Sequence, residues 1–298
     1  MYKYIIIVAT AVILSTKAFS QTFTLPDVPA SLNTAQQRAE YVITKYWDCF
    51  NFKDTTLISN EEYTEQAFVD FVNILLNIPK DLADRGIDTM MNLSSINQEM
   101  YIHFMSMSEK YMYDIASPLR NEELYITVLN HIIANNKLDE LLKLRSRYQL
   151  EMALKNRIGS TATDFTFTTA RLTKQKLSDI KGEYTLLMFY NPDCDECKKT
   201  KQYIMTSEVF NNLQKSENRR LSVLAFYADD DIASWRKHLI EMPRNWTVGY
   251  DATCTFRSNG VYELMSLPCL YLLDKDKKVI LKNTTVENIE TFLSKKLF

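Results

Sequence analysis

Apolar side chains in the first half of the chain recur at steps of three and four residues, a spacing typical of amphipathic helices. Thr34 and Gln37 have the spacing of a capping box at the start of the first predicted helix. Pro79 ends a later one, because proline cannot continue a helix. Gly159 closes the last at a position that favours a left-handed cap. The pattern predicts an all-α domain over residues 21–158.

Downstream of that glycine, continuous apolar runs replace the helical spacing. "YTLLMFY" (184–190) and "LSVLAFYA" (221–228) are typical of strands buried on both faces. A helix is predicted between them at about 195–215, and "CTFRSNGVYEL" (254–264) is compatible with another. "PCLYLLD" and "KKVILKN" form a predicted antiparallel hairpin, followed by a closing helix. This alternation predicts a three-layer α/β/α domain over residues 159–298.

The start of the chain has the pattern of a secretory signal peptide. Lys3 supplies a positive charge, residues 4–16 are apolar, and small residues stand at Ala18 and Ser20. The apolar run is shorter than the ~20 residues that a membrane-spanning helix needs, although an uncleaved anchor is left open. We expect cleavage after Ser20, removal of residues 1–20, and a periplasmic or otherwise exported protein with no membrane span.

The net charge and the predicted export together limit the classes of function that the chain can have. Loss of Lys3 and Lys17 with the signal peptide leaves 33 basic residues against 37 acidic ones. A weakly acidic protein of this kind has no electrostatic basis for binding nucleic acid. In an exported protein thiols also meet oxidants, so closely spaced cysteines become candidates for redox chemistry.

Cys194 and Cys197 stand three positions apart where a predicted buried strand is followed by a helix. The Asn191-Pro192 turn places Cys194 at the helix start, where free N–H groups and the helix dipole favour a thiolate. Cys197 follows one turn later, so its sulfur can reach that of Cys194. The arrangement predicts a redox pair in which Cys194 attacks a disulfide and Cys197 resolves the mixed disulfide.

Other interpretations of the cysteines stay open. A purely structural disulfide between Cys194 and Cys197 would close a loop too short to stabilise the fold much. Zinc would need two further ligands; Cys254 and Cys269 are available, but the sequence has no second CxxC motif or histidine pair. Cys269 could act as a third redox thiol, pack as a small buried residue, or pair with Cys254.

Residues 160–298 resemble a thioredoxin fold, and specifically the TlpA/ResA-like thiol-disulfide oxidoreductases of bacterial envelopes. The matching segments are "LSDIKGEYTLLMFYNPDCDECKK", "WTVGYD" and "LPCLYLLDKDKKVIL". The resemblance implies that Pro268 follows a cis peptide bond beside the cysteine pair, and that Leu267 and Pro268 present backbone to a substrate strand. The helical half joined to this half also resembles exported proteins of Bacteroides-type bacteria, whose front domain has no known function.

The resemblance implies a thiol-disulfide oxidoreductase that acts on disulfides of envelope or secreted proteins. Its partners would be protein dithiols or disulfides and an upstream thiol reductant. No cofactor or metal would be needed, because the sulfurs carry the chemistry. A second hypothesis belongs to another class: the chain is a partner-binding envelope protein whose thioredoxin-like domain is a scaffold with little redox activity.

The sequence departs from this family at the acids near the cysteines. Met188 and Thr200 occupy positions where relatives often carry a proton-handling acid. Asp195 and Glu196 stand between the cysteines, where Gly-Pro or Glu-Pro is common, and their charges should oppose ionisation of Cys194. Auxiliary roles are therefore assigned to four neighbours of the pair: Pro192, Asp195, Glu196 and Cys269.

Overall fold

The computed structural model describes residues 23–216 and 220–296. The predicted signal peptide, residues 1–20, lies outside this range and stays a prediction. The chain divides after Met107 into two compact units, each with its own core. The predicted domain boundary, after residue 158, stays a prediction.

Four helices begin before the division: α1 (Ala35–Lys45), α2 (Glu61–Leu75), α3 (Lys80–Ser94) and α4 (Gln98–Ser108). The predicted capping box is present at the start of α1, where the side chains of Thr34 and Gln37 each accept a backbone N–H bond. Trp47 is buried at the centre of an aromatic core, with ring centroids 5.3 Å from Phe71 and 5.2 Å from Phe104. Helix α3, which begins directly after Pro79, was not predicted from the sequence pattern.

The second unit starts with a short π-helix, Glu109–Tyr113, followed by α5 (Glu122–Ala134) and α6 (Glu140–Leu154). Seven strands then form one sheet: β1 (Thr166–Thr169), β2 (Lys174–Lys176), β3 (Tyr184–Phe189), β4 (Leu221–Tyr227), β5 (Thr247–Tyr250), β6 (Cys269–Asp274) and β7 (Val279–Lys282). Their order is β2-β1-β5-β4-β3-β6-β7. A helical region followed by a sheet-and-helix region is the fold class that the sequence predicts.

Strands β3 and β4 lie in the middle of the sheet, pair in parallel and are buried along their whole length. This confirms the interpretation of the two continuous apolar runs. The helix predicted at 195–215 is divided into α7 (Asp195–Thr206) and α8 (Glu208–Lys215). Ser207 separates them, because its side chain accepts the backbone N–H of Phe210 and so caps α8.

The two faces of the sheet are covered differently. Helices α7 and α8, together with α9 (Ile232–Lys237) and α10 (Val286–Ser294), pack on one face. On the other face, residues 254–264 form turns, so the helix that their pattern allowed is not present. Asp251 holds this segment by accepting three backbone N–H bonds, and Cys254 has a φ of 55°, which no right-handed helix allows.

Buried charged side chains connect α5 and the end of α6 to the sheet within the second unit. Lys282, at the end of β7, has its Nζ 2.8 Å from Glu122 Oε2 and donates to the carbonyl of Lys155 at 2.9 Å. Arg120 binds the other oxygen of Glu122 at 2.7 Å. Because buried charges need such partners, α5 and the end of α6 are part of what stabilises the sheet's β7 edge.

Candidate active site

The cysteine motif begins where β3 ends. Pro192 is buried in the turn, and the backbone N–H of Cys194 donates to the carbonyl of Asn191 at 3.1 Å. The side chain of Asn191 accepts the N–H of Asp193 at 2.9 Å. These local hydrogen bonds, typical of asparagine in turns, place Cys194 at the N-cap of α7 as the sequence predicts.

The two sulfurs are positioned for exchange. Cys194 Sγ accepts the backbone N–H of Cys197 at 3.2 Å, so the helix start donates directly to the sulfur. Both residues are free thiols in this structure. Cys194 is half-buried and accessible, whereas Cys197 is only 2% exposed. A partner's disulfide can therefore approach Cys194 first.

The electrostatic setting of Cys197 suits a thiol that acts second. Burial, followed by the hydrogen bond with Cys194, raises the pKa of Cys197 to about 12. At neutral pH this thiol keeps its proton and does not compete with Cys194 for an incoming disulfide. Such a thiol can act as a nucleophile only where an electrophilic sulfur is brought beside it.

The loop before β6 completes the site. The thiol of Cys194 donates to the carbonyl of Leu267 at 3.5 Å, and the Leu267–Pro268 peptide bond is cis. The structure thus brings Cys194, Cys197 and Leu267 together, with Pro268 next in the chain. Backbone groups of a loop beside the reactive sulfur are what a bound strand would need for pairing.

The two acids between the cysteines point into solvent. The side chain of Asp195 is 86% exposed and lies 3.3 Å from Lys198, and Glu196 is paired with Lys199 at 2.6 Å. Surface pairs of this kind contribute little to stability. Their position in the first turn of α7 is also where the helix dipole favours acids.

Cys269 lies on the opposite face of the sheet from Cys197. It pairs in register with Phe189 and is buried with Tyr271, whereas Cys197 packs among the residues under α7. Its thiol donates to Asn283 Oδ1 at 2.7 Å, and burial raises the pKa of Cys269. The structure does not bring Cys269 to the pair as a third redox thiol, and it is not bonded to Cys254.

A contact that the sequence did not predict secures the turn from the side. Asn191 Nδ2 donates to Asp229 Oδ2 at 2.8 Å, and Arg257 forms an ion pair with the same carboxylate. Asp229 follows β4, the parallel neighbour of β3, so the two strand ends meet at one edge of the sheet. That adjacency of strand ends was the available signal.

Comparisons with known proteins show what each half of the chain is similar to. Residues 9–156 match a family model described as a domain of unknown function (DUF5106), and residues 158–282 match the AhpC/TSA family. A crystal structure of a thioredoxin-like protein from Bacteroides caccae is 39% identical, with a TM-score of 0.85, and covers 92% of this chain and 98% of that one. Thiol-disulfide oxidoreductase ResA from Bacillus cereus is 28% identical over 144 residues, which cover 47% of this chain and 79% of that protein. ResA from Bacillus anthracis matches to the same extent.

Between residues 23 and 296, apart from 217–219, no cluster of histidine, cysteine or acidic side chains is arranged to hold a metal ion. Over the same residues, no helix combines the length and the apolar character needed to cross a bilayer.

Proposed function

Because the chain belongs to the thioredoxin-like proteins, we propose that it is a thiol-disulfide oxidoreductase that acts through Cys194 and Cys197 on disulfides of envelope or secreted proteins. The observation that supports this most directly is the position of Cys194 Sγ. It accepts an N–H bond at the start of α7 and lies beside the carbonyl of Leu267.

The reaction follows from this geometry in two exchanges. The Cys194 thiolate attacks one sulfur of a partner's disulfide, and the partner's other sulfur leaves and takes up a proton. Cys197 then loses its proton and attacks the sulfur of Cys194, which releases the partner's second sulfur as a thiol. The partner gains two electrons and two protons, and Cys194 and Cys197 end as a disulfide.

Turnover requires a further thiol. An upstream dithiol reductant would reduce the Cys194–Cys197 disulfide by the same kind of exchange. In that exchange the reductant supplies the attacking thiolate and the Cys194–Cys197 disulfide is attacked. We place this exchange in the periplasm or another exported compartment, on the strength of the signal-peptide pattern in residues 1–20.

The test is a redox titration of the full chain in a background of Cys49→Ser and Cys254→Ser, which removes the two exposed thiols. The protein is equilibrated in defined dithiol buffers and its free thiols are counted by the mass shift on alkylation. We expect a reversible two-electron transition that Cys194→Ser abolishes. Cysteines that never cycle would support the scaffold hypothesis instead.

A further inference from the structure

An open pocket of about 410 Å³ lies in the second compact unit. One side is formed by the helical segment before the sheet, and the other by the loop that leads to Pro268. Its lining residues are Tyr113, Arg145, Tyr148, Gln149, Glu263, Leu264 and Met265.

Large apolar side chains stand exposed at the rim of this pocket. Tyr148 on α6 is 60% exposed, and Met265 on the loop is 39% exposed. Leu141 and Leu144 precede Tyr148 at helical spacing and are 75% and 56% exposed. Leu141, Leu144 and Tyr148 thus lie on one side of α6, and exposed apolar groups on a folded protein mark candidate interaction sites.

The floor of the pocket is firmly built. Tyr113 donates its hydroxyl to Glu263, stacks on Tyr125 with ring centroids 4.8 Å apart, and Tyr125 in turn donates to Gln149 at 2.9 Å. Glu263 is only 6% exposed, and its second oxygen has no partner among the described residues. A buried, cross-linked floor beneath an exposed apolar rim is a preformed pocket, not a loose gap between helices.

The loop that lines the pocket also reaches the cysteine site. Met265 stands two residues before Leu267, whose carbonyl is 3.5 Å from Cys194 Sγ. Two residues of chain span at most about 7 Å. A strand bound along the Leu267 loop, with its cysteine at Cys194, would therefore bring a side chain two or three residues away over the pocket.

We propose that this pocket binds an apolar side chain of the protein substrate, two or three residues from the substrate's reactive cysteine. The inference rests on the proposed function and adds to it the substrate class and the role of α6. Methionine and tyrosine at the rim suit such an occupant, because they offer large, adaptable apolar contact.

The experiment uses ten-residue peptides with one central cysteine in a mixed disulfide with thionitrobenzoate. Two peptides carry leucine two residues before or after the cysteine, and a third carries serine at both positions. The reduced full chain, with Cys49→Ser and Cys254→Ser, attacks the peptide sulfur and releases coloured thionitrobenzoate. Ellman's reagent is the small probe that has no side chain for the pocket.

We expect one leucine peptide to react about tenfold faster than the serine peptide, a factor within what burial of one leucine side chain provides. Tyr148→Ser and Met265→Ser should remove this preference and leave the reaction with Ellman's reagent within about twofold of the unsubstituted protein. Leu172→Ser, which removes an exposed leucine (67%) away from the pocket, is the matched control and should keep the preference.

Equal rates for the leucine and serine peptides overturn the proposal. So does a Tyr148→Ser protein that keeps the preference but changes from dimer to monomer in sedimentation, since the surface then binds a second copy of the chain. If Cys194 does not react with Ellman's reagent at all, the proposed function fails first and the pocket proposal fails with it.

Discussion

Cys194 and Cys269 lie on opposite sides of the same sheet, and both adjoin the loop that contains Pro268. On one side, the backbone of a new helix donates to the Cys194 sulfur, which an approaching disulfide can reach. On the other side, the Cys269 thiol is buried and donates a hydrogen bond to Asn283. The two cysteines show that a thiol next to Pro268 in the chain need not be exposed or accept hydrogen bonds at its sulfur, the two features that favour reactivity.

The surroundings of the two sides also differ in charge. Asp195 and Glu196 near Cys194 face solvent, where water screens them. Burial raises the pKa of Cys269 most, Glu263 raises it further, and Arg120 and Lys282 act in the opposite sense. The charges beside Cys194 are therefore exposed, whereas those around Cys269 are buried or half-buried.

The largest expected effect comes from removing the second thiol of the pair. In Cys197→Ser, the mixed disulfide on Cys194 has no internal nucleophile, so we expect it to persist at least about 100-fold longer than in the unsubstituted protein. Non-reducing mass spectrometry after mixing with a peptide disulfide measures it. Equally rapid decay in both proteins would remove Cys197 from the resolving role.

Next in size is a stability effect on the side of Cys269. Glu122→Gln leaves Lys282 buried without its carboxylate, and we expect the free energy of unfolding to fall by about 3 kcal/mol. Glu123→Gln is the matched control, because Glu123 and Arg157 are both 38% exposed and the loss should stay below about 1 kcal/mol. Urea denaturation of the two variants gives the comparison; equal losses would contradict it.

The smallest expected effect tests the contrast between the cysteines directly. Cys269→Ala should lower the free energy of unfolding by about 1 to 2 kcal/mol, through a small cavity and a lost hydrogen bond. The midpoint of the Cys194–Cys197 redox titration should stay within about 10 mV, less than a threefold change in its equilibrium constant. A larger shift of the midpoint would mean that Cys269 takes part in the exchange.

Much of the C-terminal fold could be predicted, because its strands are continuous apolar runs and its motif sits between a strand and a helix. The face of the sheet on which Cys269 lies could also be predicted. Residues along a strand alternate between the two faces, so Cys269 lies on the same face as Tyr271. The turns after Asp251 could not be predicted, because a short polar segment with aromatic residues fits either turns or a helix. Three N–H bonds to one carboxylate decide the matter, and a pattern of hydrophobicity carries no trace of them.

The buried charges were equally out of reach. Glu263 and Lys282 read as ordinary surface residues in the sequence, because charged side chains are rarely buried unless they are paired. Their partners Tyr113 and Glu122 lie 150 or more residues away along the chain. Only the folded arrangement shows that these positions line a pocket and anchor a strand.

The lysine at the end of β7 has a consequence for how such proteins evolve. The two family matches change over between residues 156 and 158, yet Lys282 draws its carboxylate from Glu122, on the earlier side of that point. A gene fusion that joined this C-terminal half to an unrelated front half would leave the charge of Lys282 without its carboxylate partner. When evolution replaces the front half, we therefore expect one of two outcomes. Either the residue at position 282 changes as well, or the new front half supplies an acid in place of Glu122.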